Sequence, residues 1–317
     1  MRVGWAATAV LAMTPTAGMA QGAPIEAPGP HGPLAGTMLG EEKGRPAILI
    51  IAGSGPTDRD GNSPLGVTAA SYRLLAEALA AQRVTTVRVD KRGMFGSKAA
   101  IADANAVTIA DYAADVHSWV RAIRARTGAR CVWVLGHSEG GLVALAAAQS
   151  PADLCGVILV STAGRPAGAV LREQLRANPA NAPLSGQIDA MLTALESDQP
   201  VDRETMHPAL AAAFPPQIEG YMRSWLSYDP TKLIAAYKGP VLIEQGTRDL
   251  QVSLADAERL KAAQPHATLV MVPDANHVLK RVASDDRAAN LATYADASLP
   301  LADGFVERIV AAVTRAK

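Results

Sequence analysis

Short apolar runs and amphipathic stretches alternate along most of this chain. Apolar runs lie near residues 35–39, 47–52 and 84–90, and again at Cys131–Leu135, Gly156–Val160, Pro240–Ile243 and Thr268–Val272. Their length and β-branched content suit buried strands. Between them lie helical stretches at Tyr72–Gln82, Ile109–Arg126 and Leu254–Ala263. In the second, Ile109, Tyr112, Val116, Val120 and Ile123 recur at spacings of three and four and mark one face. Strand–helix alternation of this kind predicts an α/β domain with a mostly parallel central sheet and helices on both faces. The alternation stops after Thr162 and resumes at Pro240. The interval holds only helical stretches, Leu171–Ala177, Gln187–Glu196, Pro208–Phe214 and Ile218–Ser227, separated by Pro and Asn. It reads as a helical cap over residues 165–237, inserted between core segments 21–164 and 238–317. Met191, Leu192, Leu195, Phe214, Tyr221, Met222, Trp225 and Leu226 are its candidate pocket wall, the alternative being that they pack the cap against the core. Residues 21–33 read as a Pro/Gly-rich leader.

The first twenty residues read as a targeting segment. Arg2 precedes an apolar stretch from Val3 to Met13, and Ala17-Gly-Met-Ala20 offers small residues at a cleavage point. The stretch is too short to span a membrane, so a signal peptide over residues 1–20 and a periplasmic or secreted product are expected, with no stable membrane anchor. Export changes how the two cysteines read. Cys131 and Cys155 open what should be neighbouring strands, and they are either disulfide-bonded or two small buried apolar residues. With 317 residues, 49% of them hydrophobic, the chain can bury a large core. Its 30 basic and 30 acidic residues cancel, so nothing points to nucleic acid. No CxxC pair, HExxH or Walker-type loop occurs, and no metal or cofactor is expected.

The chemistry concentrates in Cys131-Val-Trp-Val-Leu-Gly-His-Ser-Glu-Gly-Gly141. A buried strand runs into a G-x-S-x-G pentapeptide and then a helix of small residues. In that context Ser138 reads as a nucleophile on a strained strand-to-helix turn. A serine needs a base and an orienting acid, placed in this arrangement in the order Ser, acid, His at strand C-terminal ends. Asp249 follows the strand beginning at Pro240, and His277 follows the strand Thr268–Val272. Asp256 and Asp274 compete with Asp249, but the first falls on a helix and the second suits a turn. His137 sits inside the pentapeptide and should pack beside it. His31, His117, His207 and His266 fall in the leader, a helix, the cap and a turn. The backbone N–H groups of Glu139 and of Ser54, with Gly53 as second choice to Ser54, are the expected oxyanion donors. The charged segment Thr57-Asp-Arg-Asp-Gly-Asn62 either braces that loop or binds a polar substrate end. Bracing is the favoured reading.

Taken together, Gly53-Ser-Gly-Pro-Thr-Asp-Arg-Asp-Gly-Asn62, Asp90-Lys-Arg-Gly93, Gly136-His-Ser-Glu-Gly-Gly141, Tyr228-Asp-Pro-Thr-Lys-Leu233, Gly246-Thr-Arg-Asp-Leu-Gln-Val252 and Asn276-His-Val-Leu-Lys280 resemble motifs of the α/β-hydrolase superfamily. The resemblance is nearest to bacterial esterases grouped with serine aminopeptidase-like and dienelactone hydrolase-like proteins, and it covers residue 34 to the C-terminus. It implies the α/β-hydrolase fold and a serine hydrolase acting on a small-molecule ester, with short acyl chains. A peptidase or amidase is the second reading, and a non-catalytic binding protein on the same fold is the third. Two positions depart from the pattern: Ala52 stands where many members have His, and Phe95 where many have Gly.

Overall fold

The computed structural model describes residues 22–40 and 43–315. The expected signal peptide, residues 1–20, lies outside the described residues. The strands are β1 (Ala23–Pro28), β2 (Pro33–Leu39), β3 (Ala47–Ile51), β4 (Thr85–Val89), β5 (Val132–His137), β6 (Leu154–Val160), β7 (Val241–Gly246) and β8 (Thr268–Val272). They form one sheet in the order β1-β2-β4-β3-β5-β6-β7-β8. Strand β2 runs antiparallel to both its neighbours, and every other pairing is parallel. Strands β3, β4, β5 and β7 are buried along their whole length, as a parallel sheet covered on both faces requires.

The helices are α1 (Ser71–Ala81), α2 (Ile109–Thr127), α3 (Glu139–Ala147), α4 (Ala167–Arg176), α5 (Ser185–Glu196), α6 (Pro208–Ala213), α7 (Glu219–Leu226), α8 (Pro230–Ala236), α9 (Leu254–Ala263), α10 (Arg287–Ala292) and α11 (Phe305–Arg315). One face of the sheet packs on α2, α3 and α9 through Val116, Trp119, Ile123, Val143, Leu145 and Leu260. The other packs on α1 and α11 through Leu75, Leu79, Phe305 and Ile309. Local signals set the helix ends. Thr108 and Asp111 close a reciprocal capping box at the start of α2, and Gly128 at φ 71° ends it. Among the described residues no helix is long and apolar enough to cross a membrane.

The leader reading of residues 21–33 is corrected by the structure. Ala23–Pro28 is a strand that pairs antiparallel with β2, turning Ile25 and Ala27 inward. Prolines at 24 and 28 misled the reading, yet an edge strand tolerates them because one row of its N–H groups has no ladder partner. The open question of the cysteines is answered: Cys131 and Cys155 form a disulfide at the starts of β5 and β6, with Cα atoms 5.1 Å apart.

Helices α4 to α8 fill the interval between β6 and β7. Helices α4 to α7 carry an apolar cluster of their own, with Ala167, Ile188, Met191, Leu192, Leu195, Leu210, Met222 and Leu226 buried in it, whereas α8 packs on the sheet core through Ile234. Most of the residues named as candidate pocket wall belong to the α4 to α7 cluster. Of them Trp225 alone lines a cavity beside Ser138, while Tyr221 and Trp225 also pack against the core cluster on the α2, α3 and α9 face.

Candidate active site

The strand order decides which loops meet. Strand β3 lies beside β5 with Ile51 opposite Gly136, so the loop after β3 runs next to the turn after β5. Strand β7 lies beside β8 with Gly246 opposite Val272, which joins the loops carrying Asp249 and His277. All four loops leave the same edge of the sheet, where ligand sites of open α/β sheets form.

Ser138 occupies the turn between β5 and α3 at φ 55°, ψ −121°. That backbone geometry is strained for a residue with a side chain. Ser138 is held there by its own N–H, which donates to the Val160 carbonyl at 2.9 Å. The tight turn also needs glycine on both sides. A Cβ on Gly136 would lie 2.1 Å from the Gly140 carbonyl oxygen, and one on Gly140 would lie 2.5 Å from that of Ile51. The side chain of Ser138 faces two cavities. One, of about 140 Å³, is lined by Leu142, Thr162, Val170, Leu171 and Trp225 among others. The other, of about 180 Å³, is lined by Ser63, Leu65, Val67, Val278, Tyr294 and His277 among others. Ser54 and Gln251 border both.

His277 Nδ1 lies 2.9 Å from Asp249 Oδ2. The carboxylate has no exposed side-chain surface. Burial pushes its pKa up, but the nearby His277, with which it is hydrogen-bonded, and the N–H groups of Val252 and Gln251 outweigh burial and leave it below the usual carboxylate range. Those N–H groups donate to Oδ1 at 3.0 and 2.8 Å, while the Gln245 amide donates to Oδ2 at 3.2 Å. Asp249 is thus an ionised acceptor that fixes the imidazole. Its two competitors serve elsewhere. Asp256 caps α9 with Ser253 and pairs with Arg165. Asp274, at φ 55°, shapes the turn before His277. The loop of His277 is anchored from beneath. The Asn276 amide donates to Asn290 Oδ1 at 3.0 Å and to Thr293 Oγ1 at 2.7 Å. Lys280, whose pKa burial lowers to about 8, donates to the Leu299 carbonyl.

His137 packs beside the turn, as expected, and ties two loops together. Its Nδ1 lies 2.8 Å from the Tyr72 hydroxyl and its Nε2 lies 2.8 Å from the His277 carbonyl oxygen. The Gly53 N–H donates to the Tyr72 oxygen at 3.1 Å. A carbonyl can only accept and a backbone N–H can only donate, so both ends of this chain of bonds fix its direction. Gly53 N–H donates to Tyr72, Tyr72 O–H donates to His137 Nδ1, and His137 Nε2–H donates to His277. His137 must then be neutral, and burial lowers its pKa to about 3.

The same chain separates the two candidate donors in the loop after β3. The Gly53 N–H is consumed by Tyr72. The Ser54 N–H and the Glu139 N–H, at the start of α3, donate to no acceptor among the described residues. Sequence reasoning missed four supporting side chains: Tyr72, Lys91, Tyr221 and Gln245. Lys91 donates to the Gly53 carbonyl at 2.6 Å, and the Tyr221 hydroxyl donates to the Glu139 carboxylate. Of these only Lys91 carried a signal, through Asp90-Lys-Arg-Gly93. Each charged residue of that motif braces something: Asp90 accepts from Arg59, and Arg92 pairs with Asp111 and Asp115 on α2. Segment Thr57–Asn62 is braced likewise. Arg59 is held by Asp90, Asp60 by Arg88, and Asp58 accepts from the N–H groups of Asp60 and Asn62. Among the described residues no group of three or more His, Cys, Asp and Glu side chains is placed to hold a metal ion.

No curated protein matches the sequence at a significant level. Among solved structures, Est1E from Butyrivibrio proteoclasticus is 16% identical with a TM-score of 0.55, covering 92% of this chain and 96% of that one. A thermophilic esterase from Thermogutta terrifontis, with malate bound, is 19% identical with a TM-score of 0.54, covering 93% and 97%. An esterase from Pyrococcus furiosus is 15% identical with a TM-score of 0.57, covering 93% and 91%. At these identities the likeness is one of fold. Residues 48–293 match the sequence model of the Alpha/beta hydrolase family, most of the chain, and the protein belongs to that family.

Proposed function

We propose that the protein is a serine hydrolase cleaving carboxylic esters of short acyl chains through an acyl-enzyme on Ser138. The observation that carries this reading is His277, held by the buried Asp249 and lining a cavity together with a strained Ser138. His277 takes the Ser138 proton as the serine oxygen attacks the ester carbonyl. Asp249 holds the imidazole in the required tautomer and stabilises the imidazolium. The Ser54 and Glu139 N–H groups receive the developing oxyanion, and the imidazolium returns its proton to the departing alcohol. Water activated by His277 then releases the acid.

The two cavities divide between acyl and alcohol groups. The leaving oxygen must reach His277, so the alcohol belongs in the cavity that His277 lines and the acyl chain in the other. The acyl cavity of 140 Å³ is close to one of about 150 Å³ that holds benzene, so chains of roughly six heavy atoms fit. The insertion, residues 165–237, acts as a cap over this side through Val170, Leu171 and Trp225. A peptidase reading has less support, because the carboxylates of Asp58 and Asp60 are occupied internally. Export to an oxidising compartment is part of the proposal. The Cys131–Cys155 disulfide and the apolar stretch after Arg2 support it.

A panel of p-nitrophenyl esters of increasing chain length, run beside aminoacyl amides, tests the reading. We expect kcat/KM to peak at short chains and to fall beyond about six carbons. Preference for the amides, or for long chains, would overturn the substrate class.

A further inference from the structure

Lys91 is buried, yet it has no part in the proton transfers above. Its ammonium donates to the Gly53 carbonyl at 2.6 Å, lies 3.6 Å from Glu139 Oε1 and sits 5.5 Å from the centre of the Tyr112 ring. Glu139 Oε1 has no hydrogen-bond donor, and the other carboxylate oxygen takes the Tyr221 hydroxyl. An ammonium withdrawn from water needs compensation. Here that compensation comes from groups belonging to both candidate oxyanion donors, the Gly53–Ser54 peptide and residue Glu139.

The peptide geometry gives this contact a consequence. The Gly53 C=O and the Ser54 N–H belong to one planar trans unit and point in opposite directions. Drawing the oxygen onto Lys91 therefore turns the Ser54 N–H away from Lys91. The Gly53 N–H, on the preceding peptide unit, is fixed on Tyr72, so the backbone entering this plane is held as well. A cation on the carbonyl also polarises the amide and strengthens its N–H as a donor. Ser138, on the neighbouring turn, lies close to this loop: a Cβ placed on Gly53 would come within 3.2 Å of the Ser138 Cβ.

We propose that Lys91 is a positioning residue for the oxyanion site, setting the Gly53–Ser54 peptide plane through the Gly53 carbonyl and anchoring Glu139 through its carboxylate. This rests on the serine hydrolase reading above. Removing one oxyanion donor outright slows turnover about 10²–10³-fold, and losing its alignment should cost about 10–100-fold.

The test compares wild type, Lys91→Met and Lys91→Arg on one short p-nitrophenyl ester, with thermal unfolding as the fold control. The expected result for Lys91→Met is a kcat about 10–100-fold lower with KM within about twofold. The affinity for a trifluoromethyl ketone of the same chain should fall by the same factor, since that inhibitor forms an oxyanion on Ser138. A merely structural role would lower the melting temperature without that parallel loss. Lys91→Arg, which keeps the cation, should recover part of the loss. If Lys91→Met does not fold, the neutral Lys91→Gln takes its place. A kcat lowered at least fivefold at near-unchanged KM supports the proposal, and wild-type kcat overturns it. A folded Lys91→Met with wild-type kcat, or with KM alone changed, likewise overturns it. A wild type that takes no fluorophosphonate on Ser138 overturns the hydrolase reading beneath it instead.

Discussion

The strand-end loops and the helical insertion are built on different physics. Around Ser138 nearly every position is fixed by directed polar contacts. The Gly53–Tyr72–His137–His277 chain, the four-contact cradle of the Asp249 carboxylate and the amide cluster under His277 leave few groups free to turn. The insertion is held mainly by apolar packing, through its own cluster and, at Tyr221, Trp225, Tyr228, Leu233 and Ile234, against the core, with polar ties besides. Tyr221 reaches Glu139, Arg165 reaches Asp256, Gln174 reaches the Gln251 carbonyl and Ser224 receives the Ile109 N–H. Hydrogen bonds fix direction, whereas apolar packing fixes volume and little else. On the proposed function, the contrast assigns the chemistry to the first region and the selection of substrate size to the second.

The largest effect that could break this comparison lies in the core. Asp249→Asn keeps the shape but favours the wrong imidazole tautomer, so kcat should fall about 10⁴-fold with KM nearly unchanged. Steady-state kinetics on a short ester checks it, and a loss under tenfold would remove Asp249 from the mechanism. The insertion should respond differently. Leu192 is fully buried among α4, α5 and α7. Leu192→Ala should destabilise this cluster by about 2–5 kcal/mol. Limited proteolysis should then cut first within residues 165–237 while fluorophosphonate labelling persists. Cleavage starting in the sheet region would show that the two regions are not separable.

Selectivity sharpens the contrast further. Trp225→Ala enlarges the acyl cavity and should shift the kcat/KM ratio of long to short esters by about 1–3 kcal/mol, roughly tenfold or more. Phe214→Ala should leave that ratio unchanged, because Phe214 packs on the insertion's own cluster. Equal shifts from both would place the cavity wall wrongly. The smallest effect concerns the sheet rather than the site. Both oxygens of Glu244, on β7, lack hydrogen-bond partners, and burial, with Glu307 adding to it, pushes its pKa well above the usual carboxylate range. The folded state therefore holds a proton that the unfolded chain releases above about pH 4.3, and stability falls as pH rises past that point. Glu244→Met should stabilise the fold at pH 8 by on the order of 1–3 kcal/mol, less at pH 4, with kcat unchanged. Denaturant melts at the two pH values measure the difference, and an equal gain at both would mean that the proton is not involved.

Much of this arrangement was legible in the residues. Apolar runs located β3 to β8, and β3, β4, β5 and β7, buried along their whole length, need no alternation to be seen. The Ser138, Asp249 and His277 loops followed from strand ends and chain order. What stayed hidden was tertiary. Nothing in the sequence says that Tyr72 on α1 occupies the Gly53 N–H, which is what separates Ser54 from Gly53. The apolar residues of the insertion carry the same helical signal whether they face a cavity or each other, so Phe214 and Trp225 could not be told apart. Strand β1 was masked by Pro24 and Pro28, whose cost vanishes only at a sheet edge. Phe95, one of the two departures from the resembling motifs, takes φ 44° at an exposed position, which the residue type alone did not announce.

The central claim is that Ser138 is activated by His277. Fluorophosphonate labelling followed by peptide mass analysis tests it most directly, because the reagent bonds only to a serine made nucleophilic by its surroundings. The account predicts one adduct, on Ser138, in the wild-type protein, and labelling at least about 10³-fold slower in a folded His277→Ala variant. An adduct on another residue, or wild-type labelling without His277, would contradict it.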